Sequence, residues 1–348
     1  MKPIFHPQLV NPPNADPALF VDFLFEKRAL LFDVGDLASL APRKMLRLSH
    51  VFVSHTHMDH FIGFDHLLRV FLGRAKTLHV FGPAGLVAQV GHKLAGYTWN
   101  LVQNYEADFT LLVTEIDWDG NRRMARFRCR TGFEEEGICS ERLSFEEPLV
   151  DEQNFWVQTR VLDHRIPCLA FALQEKRHIN VWKNRLQEMG LPTGPWLTEL
   201  KQAILRGEPQ DTPIRIGWRR DGHLCERYEA LGKLQERLVR VTPGQRIAYV
   251  ADAVYHEKNA QQIVALAHHA DCLFIEAAFL AREAERAART YHLTATQAGW
   301  LGRRAGAKRL VPFHFSARHS GEEQRLVTEA LTAFSQAGVA DRVAPMLC

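Results

Sequence analysis

The sequence predicts a layered α/β protein with one inserted arm near residues 174–215. Three observations carry that expectation. Strand-like apolar runs dominate the first half of the chain. Short buried strands alternate with helical stretches in the second half. Between them, "VWKNRLQEMGLPTGPWLTELKQAILRG" changes character: it is helical, broken by Pro192, Gly194 and Pro195, then helical again. At 348 residues and 39.8 kDa, the chain can bury a large core as one big domain or two.

Taken in order, "ALFVDFLFEKRALLFDVGD" places two apolar runs around a charged "EKR" and reads as a hairpin ending at Asp33-Val34-Gly35. "RLSHVFVSH" is a further strand, and "DHFIGFDHLLRVFLG" takes up helical spacing. "TLHVFGPAGLVAQVGHKLAG" reads as strand, Gly-Pro turn and helix. Residues 108–173 are strand-rich, with a hairpin at "DWDGNRR". After the arm, "RIAYVAD" and "CLFIEAAF" are buried strands separated by a helix over about 256–269. The tail alternates helix ("TATQAGWLGRRAG"), strand ("RLVPFHF") and helix ("EEQRLVTEALTAFSQAG").

Composition excludes several classes. Hydrophobic residues make up 46% and charged residues 24%, as in an ordinary globular protein. A net charge of +3 does not dictate a polyanionic partner, so any anion site must be local. No run of eighteen apolar residues offers a membrane span. Prolines interrupt the N-terminal stretch where a signal peptide needs an apolar core, so we expect a cytoplasmic protein. Six scattered cysteines without a CxxC pair read as reduced, structural thiols with no metal partner beside them. His178, His223, His268 and His269 lack motif context and are read as surface residues.

The chemistry concentrates in "VFVSHTHMDH". His55 and His57 share a face at a strand end, and Asp59 and His60 follow on the next turn. Imidazoles and a carboxylate suit zinc or a similar divalent ion. Four ligands cannot complete two metals, so further ligands are expected at other strand ends. His164 follows "WVQTRVLD", Asp252 ends "RIAYVAD" and His314 ends "RLVPFH". Polar residues that each close an apolar run suit a site built at one edge of a sheet.

These motifs resemble the metallo-β-lactamase superfamily and, within it, the ribonuclease Z family of tRNA 3′-processing endonucleases, along nearly the whole chain. "LLFDVGD" resembles the family's aspartate-glycine turn. "SHTHMDH" resembles its metal motif, with Met58 where glycine is usual. "GLPTGPWLTELKQAILRG" resembles the glycine-proline segment of its tRNA-gripping arm. "FIEAAF" keeps Glu276 of a His-Glu-Ala-Thr segment, and "YHLTATQAG" keeps His292 of a His-Ser-Thr segment. "VPFHFSARH" keeps His314, Ser316 and Arg318, with His319 in place of tyrosine. After His164, Ala170-Phe171 stand where a Gly-Tyr pair is common, and the region before His164 is longer than in compact members.

The resemblance implies an αββα four-layer sandwich, a single domain over 1–348 with an arm at 175–210. It implies two divalent ions, zinc with manganese or iron as alternatives. One ion would take His55, His57 and His164, the other Asp59, His60 and His314, with Asp252 bridging them. Such a pair generates a nucleophile at neutral pH and neutralises phosphoryl charge. Asp59 would accept the water's proton. His292, oriented by Glu276, would protonate the leaving ribose 3′-oxygen. The implied substrate is a tRNA precursor cut at its 3′ trailer by a homodimer, each arm serving its partner's site. Gly194, Pro195, Lys183, Arg185, Lys201 and Arg318 are the implied RNA contacts.

Between 175 and 207 the basic residues are Lys176, Arg177, Lys183, Arg185, Lys201 and Arg206, against three glutamates. Such an excess serves a phosphate backbone through counterion release. The alternative is a solvated helical hairpin used in dimer packing. "RRMARFRCR" holds five arginines in nine residues. We read it as a solvated strand face balanced by the glutamates at 134–136 rather than an RNA ribbon. Three rival functions stay open. They are a hydrolase of small or cyclic phosphodiesters, a non-phosphodiester hydrolase such as a lactonase or thioesterase, and a scaffold without turnover.

Overall fold

The computed structural model describes residues 4–336 except 25, 143, 177, 221 and 222. Arg177 and Cys348 therefore lie outside the described residues, as does the side chain of His223. The first sheet takes its strands in chain order: β1 (Phe5–Leu9), β2 (Leu19–Phe23), β3 (Ala29–Phe32), β4 (Leu48–Phe52), β5 (Lys76–Pro83), β6 (Phe109–Ile116), β7 (Asn121–Arg128) and β8 (Glu135–Arg142). The expected hairpin is β2–β3, antiparallel with Leu19 opposite Phe32. β3 to β6 pair in parallel, and β6 to β8 form antiparallel hairpins. β1 goes beyond the sequence expectation, because Pro7 within "FHPQL" breaks the strand signal; as an edge strand it tolerates the missing donor.

The second sheet uses β9 (Val150–Asp151), β10 (Phe155–Asp163), β11 (Pro167–Glu175), β12 (Arg246–Val250), β13 (Cys272–Glu276) and β14 (Leu310–Phe313), in the order β14-β13-β12-β11-β10-β9. β12–β13 and β13–β14 pair in parallel, with Val250 opposite Ile275 and Glu276 opposite Phe313.

Side chains alternate along each strand, and that alternation builds the layers. Phe32 and Phe52 of the first sheet meet the second. The Phe32 ring lies 5.8 Å from Phe171 and 5.7 Å from Tyr249, and Phe52 lies 5.4 Å from Phe171. Leu31, Val51 and Val80 point the other way, onto the helices Phe64–Phe71 and Leu86–Ala95. On the far side, Ala248, Val250, Leu273 and Ile275 meet the helices Glu257–Leu266, Ala295–Arg304 and Glu323–Ser335. The result is four layers, helix–sheet–sheet–helix.

The length before His164 is spent on the β6–β8 hairpins. Their "DWDG" turn is closed by Asp117, whose Oδ1 accepts from the Asp119 and Asn121 amides. Across them the arginines of β7 pair with glutamates: Arg122 with Glu141, Arg123 with Glu135, and both Arg126 and Arg128 with Glu136. Ala125 and Phe127 face inward between them. This is the balanced strand face expected.

A second compact unit gathers residues 174–245 with 150–156. It extends well past the 175–210 expected for the arm, and it is mixed α/β rather than helical. The hairpin Pro213–Arg220 with His223–Ala230, the helix Leu231–Leu238 and the pair His178–Val181 with Val239–Thr242 complete it. The reason is packing. The helices Lys183–Glu188 and Trp196–Arg206 bury Leu186, Trp196, Leu200 and Ile204, which need a partner face, and Ile214, Ile216, Leu234 and Leu238 supply it. His178, expected at the surface, is buried and held by Glu175 Oε1 at 2.9 Å and Asn180 Oδ1 at 3.1 Å. His268 and His269 are exposed. Among the described residues, no helix is long and apolar enough to cross a membrane.

Candidate metal centre

The motif of the first sheet is positioned by a turn that requires glycine at one position. The chain leaves β3 at Asp33, in the left-handed region at φ 57°. A side chain at Gly35 would meet the Asp59 carbonyl at 2.7 Å and the Pro17 carbonyl at 2.6 Å. With Gly35 in place, the Val34 amide bonds the His60 carbonyl and the Gly63 amide bonds the Val34 carbonyl. The short helix Met58–Phe61 is thereby fixed against the turn. His55 and His60 are fully buried, Asp59 is partly exposed and His57 is exposed.

The second sheet delivers Asp252, Glu276 and His314 from the ends of parallel strands, which the register places at one edge. His164 follows β10, Asp252 lies two residues past β12, Glu276 ends β13 and His314 follows β14 at φ 58°. The His164 Nδ1–H donates to the Tyr291 carbonyl at 2.8 Å, which leaves Nε2 as a free lone pair.

Asp252 sits at the middle. Its Oδ2 lies 3.6 Å from His55 Nε2 and 3.4 Å from His164 Nε2. Its Oδ1 lies 3.4 Å from His60 Nε2 and 3.1 Å from His314 Nδ1. Asp59 Oδ2 is 3.1 Å from His314 Nε2 and 3.5 Å from His60 Nε2. Ligand atoms of His55, His57, His164 and Asp252 fall within 4.8 Å of one another, and so do those of Asp59, His60 and His314. His55 Nε2, His60 Nε2, Asp252 Oδ1 and His314 Nδ1 are buried without a hydrogen-bond partner. Four orphaned lone-pair atoms converging on one space, all imidazole or carboxylate, fit divalent cations.

The electrostatics of His55, His57 and Asp252 agree with that use. Burial and the His60 charge hold the His55 pKa well below its ordinary value, and burial with His164 lowers that of His57, so both present neutral imidazoles. Burial opposes ionisation of Asp252, but His314, His60 and His55 outweigh it and its pKa lies well below the carboxylate range. Burial also disfavours the His60 cation, yet Asp252 and Asp33 raise its pKa well above the usual value.

Beside this cluster, the His292 Nδ1–H meets Glu276 Oε2 at 3.0 Å, and the other Glu276 oxygen accepts from the Ala253 amide at 2.7 Å. Burial would lower the His292 pKa, but the Glu276 carboxylate and then Asp252 raise it to about 9. A cleft of about 260 Å³ opens onto Asp59, His292 and His314, walled by Asp16, Phe279 and Ser316.

The fold and sequence have counterparts among known proteins. Residues 231–315 match the β-lactamase superfamily domain. The ribonuclease Z of Deinococcus radiodurans is 31% identical over 333 residues, spanning 93% of this chain and 94% of that protein. The chain belongs to the ribonuclease Z family. It is accordingly a metal-dependent hydrolase of the metallo-β-lactamase superfamily. The ribonuclease Z of Geobacillus kaustophilus is 30% identical, covering 87% of this chain and 83% of its own length. In fold, the chain resembles the metallo-β-lactamase fold protein YhfI from Bacillus subtilis, with a TM-score of 0.53 and 16% identity over 95% of this chain and 94% of that one. It also resembles the short form of human tRNase Z, with a TM-score of 0.52 and 19% identity over 91% and 93%.

All seven ribonuclease Z-like ligand positions, from His55 to His314, come together in space, and Glu276 and His292 stand beside them. Arg318 is exposed, with Nε 3.6 Å from Glu283. Within the second unit, Lys183 opens its helix at the surface, and Arg185 lies 4.6 Å over the Trp182 ring and bonds the Arg237 carbonyl. Gly194 and Pro195 lead into Trp196, whose indole N–H bonds the Pro192 carbonyl at 2.9 Å. Lys201 is half-buried, and that burial lowers its pKa. Lys176 and Arg206 are paired with Asp151 and Glu208.

Sequence reasoning missed several neighbours of the cluster. Asp33 accepts from the Ser54 amide and hydroxyl, the Tyr249 hydroxyl and His60 Nδ1. Cys168, read as remote from any metal partner, places its Sγ 3.7 Å from His55 Nδ1. The two are 113 residues apart, and only the packing of the sheets joins them.

Proposed function

We propose that this chain hydrolyses the 3′ trailer from tRNA precursors, as the name of its ribonuclease Z relatives suggests. Two divalent ions, zinc in the first instance, would be held by His55, His57 and His164 on one side and Asp59, His60 and His314 on the other, with Asp252 between. The observation that carries this reading is the division of Asp252: one oxygen faces His55 and His164, the other His60 and His314. Ions held there would lower the pKa of water and offset charge on the phosphoryl oxygens.

The chain's own residues supply the rest. Burial works against ionisation of Asp59, but the His314 hydrogen bond and the His60 charge outweigh it, so its pKa is lowered and it is free to accept the attacking water's proton. His292, protonated through the neutral range and steered by Glu276, donates to the departing ribose 3′-oxygen. The cleft at Asp59, His292 and His314 receives the scissile phosphodiester. Lys183, Arg185, Lys201 and the Gly194-Pro195 turn grip the RNA body, with Arg318 as a further contact. The protein acts as a cytoplasmic homodimer.

The test is cleavage of a 3′-extended precursor tRNA by metal-loaded protein with the product ends mapped. A chelator-sensitive cut 3′ of the discriminator nucleotide that leaves a 3′-hydroxyl supports the proposal. No cut, with brisk turnover of a small phosphodiester, moves the substrate to the small or cyclic diester class.

A further inference from the structure

Tyr249 belongs to the second sheet, yet its hydroxyl is spent on the first. It lies in β12, fully buried, with its ring 5.2 Å from Phe313 and 5.7 Å from Phe32 across the sheet interface. Its Oη–H donates to Asp33 Oδ2 at 2.7 Å. Burial, with the Asp33 charge beside it, holds that hydroxyl well above its ordinary pKa, so it remains a donor. The same Asp33 oxygen accepts from His60 Nδ1 at 2.8 Å and from the Ser54 hydroxyl at 2.8 Å. A His60 ring that gives its Nδ1 proton to Asp33 aims Nε2 at Asp252 Oδ1, 3.4 Å away. Asp252 stands three residues beyond Tyr249 on the same strand exit.

A closed circuit results. One arm runs from β12 through Tyr249 and Asp33 to His60. The other runs from β12 through Asp252 back to His60. We infer that Tyr249 is a positioning residue, an inter-sheet latch that sets the spacing between His60 and Asp252 and so the affinity of the Asp59–His60–His314 half of the centre. The inference rests on the metal-centre reading above. In the other half His164 is fixed by the Tyr291 carbonyl, and His55 Nδ1 lies 3.1 Å from the Ser54 hydroxyl, which Asp33 holds through a bond of its own, so the contact particular to the His60 side is the Tyr249 hydroxyl. Removing the latch should therefore separate the two ions energetically instead of weakening both.

The experiment uses the full chain, stripped with a chelator and titrated with zinc against a chromophoric competitor, with bound zinc counted. In Tyr249→Phe the first zinc should bind as in wild type and the second up to about 10-fold more weakly, the lower end of the range for losing a ligand's own hydrogen-bond partner, because Tyr249 acts on His60 through Asp33. Tyr249→Met, which also lacks the hydroxyl, should show the same split and keeps the test available if Tyr249→Phe folds poorly, whereas Asp33→Asn should weaken both ions because Asp33 also holds the Ser54 hydroxyl at His55 Nδ1. Phe171→Leu, which loosens the same aromatic interface without touching the hydroxyl, should lower the melting temperature and leave both zinc affinities alone. Two wild-type affinities in Tyr249→Phe, equal weakening of both ions in that variant, or the same split in Phe171→Leu would each overturn the latch. Wild-type protein that takes up no zinc would overturn the metal-centre reading and the latch with it, an outcome distinct from those three.

Discussion

Replacing Glu276 with glutamine should change how activity depends on pH more than how large it is at its best. The amide oxygen of the new side chain can still accept from the Ala253 N–H. Its NH₂, however, turns the His292 Nδ1 into an acceptor, and the charge that holds the imidazolium is gone. The His292 pKa is raised from 6.5 to about 9. A raised pKa means the acid form is fully present below the ordinary value and is lost as pH rises through the shifted one. At pH 8 a group at about 9 is roughly nine-tenths protonated, whereas an ordinary imidazole is about 3% protonated; at pH 6 the two differ by less than about twofold. Ions bound in the site would take up part of the Asp252 charge, which would put the wild-type descending limb at or below about 9. Glu276→Gln should therefore lose up to about 30-fold in kcat near pH 8 and little near pH 6, with the limb moved toward neutrality. The assay is single-turnover cleavage of precursor tRNA from about pH 5.5 to about 9.5, a range wide enough to hold both limbs. A p-nitrophenyl phosphodiester, whose leaving group needs no proton, should show neither the limb nor the shift. A variant profile parallel to wild type on RNA, or an equal loss on both substrates, would refute His292 as the acid.

Three further outcomes are expected. Asp59→Asn should lower precursor cleavage by at least about 10²-fold while gel-shift affinity for the RNA holds, because the lost group accepts a proton rather than grips the substrate. Lys183→Glu with Arg185→Glu should weaken RNA binding about 10-fold or more and flatten its salt dependence by about one to two units of slope, leaving small-diester turnover unchanged. Trp196→Ala empties a buried site in the second unit and should cost that unit about 3–5 kcal/mol, read as faster proteolysis within 174–245 with small-diester hydrolysis retained.

Much of the centre is legible in the sequence because each of its residues closes an apolar run. His55, His164, Asp252 and His314 all follow strands, and parallel strands put their carboxyl ends on one edge. What the chain does not spell out is anything decided by a partner far away in sequence. Tyr249 in "RIAYVAD" looks like one more core aromatic; its hydroxyl matters only because Asp33, 216 residues earlier, lies opposite. His178 carries no motif, so nothing marks it as buried against Glu175 and Asn180. The second half of the insertion is obscured by charge. Charged residues crowd "IRIGWRR" and "HLCERYEA", yet Ile214 and Ile216 alternate inward between the arginines and seal the core of the two helices.

The origin of the ligands also explains why a local motif can announce the chemistry without fixing its strength. His55, His57, Asp59 and His60 come from the first sheet, while His164, Asp252 and His314 come from the second. A metal ion held by residues of both sheets cannot be enclosed until the sheets pack, so metal binding and sheet packing are linked, and stripping the metal should lower the melting temperature. Contacts between the sheets then divide into two kinds. An apolar contact such as Phe32 against Phe171 stabilises the packed state whether or not ions are present, so weakening it costs stability and leaves the affinity of the folded protein alone. A polar contact such as Tyr249 to Asp33 fixes the distance between ligands from different sheets, so weakening it costs affinity. The ligand set names the ion class, and the register of the two sheets, held at Asp33 and Tyr249, sets how tightly the ions stay.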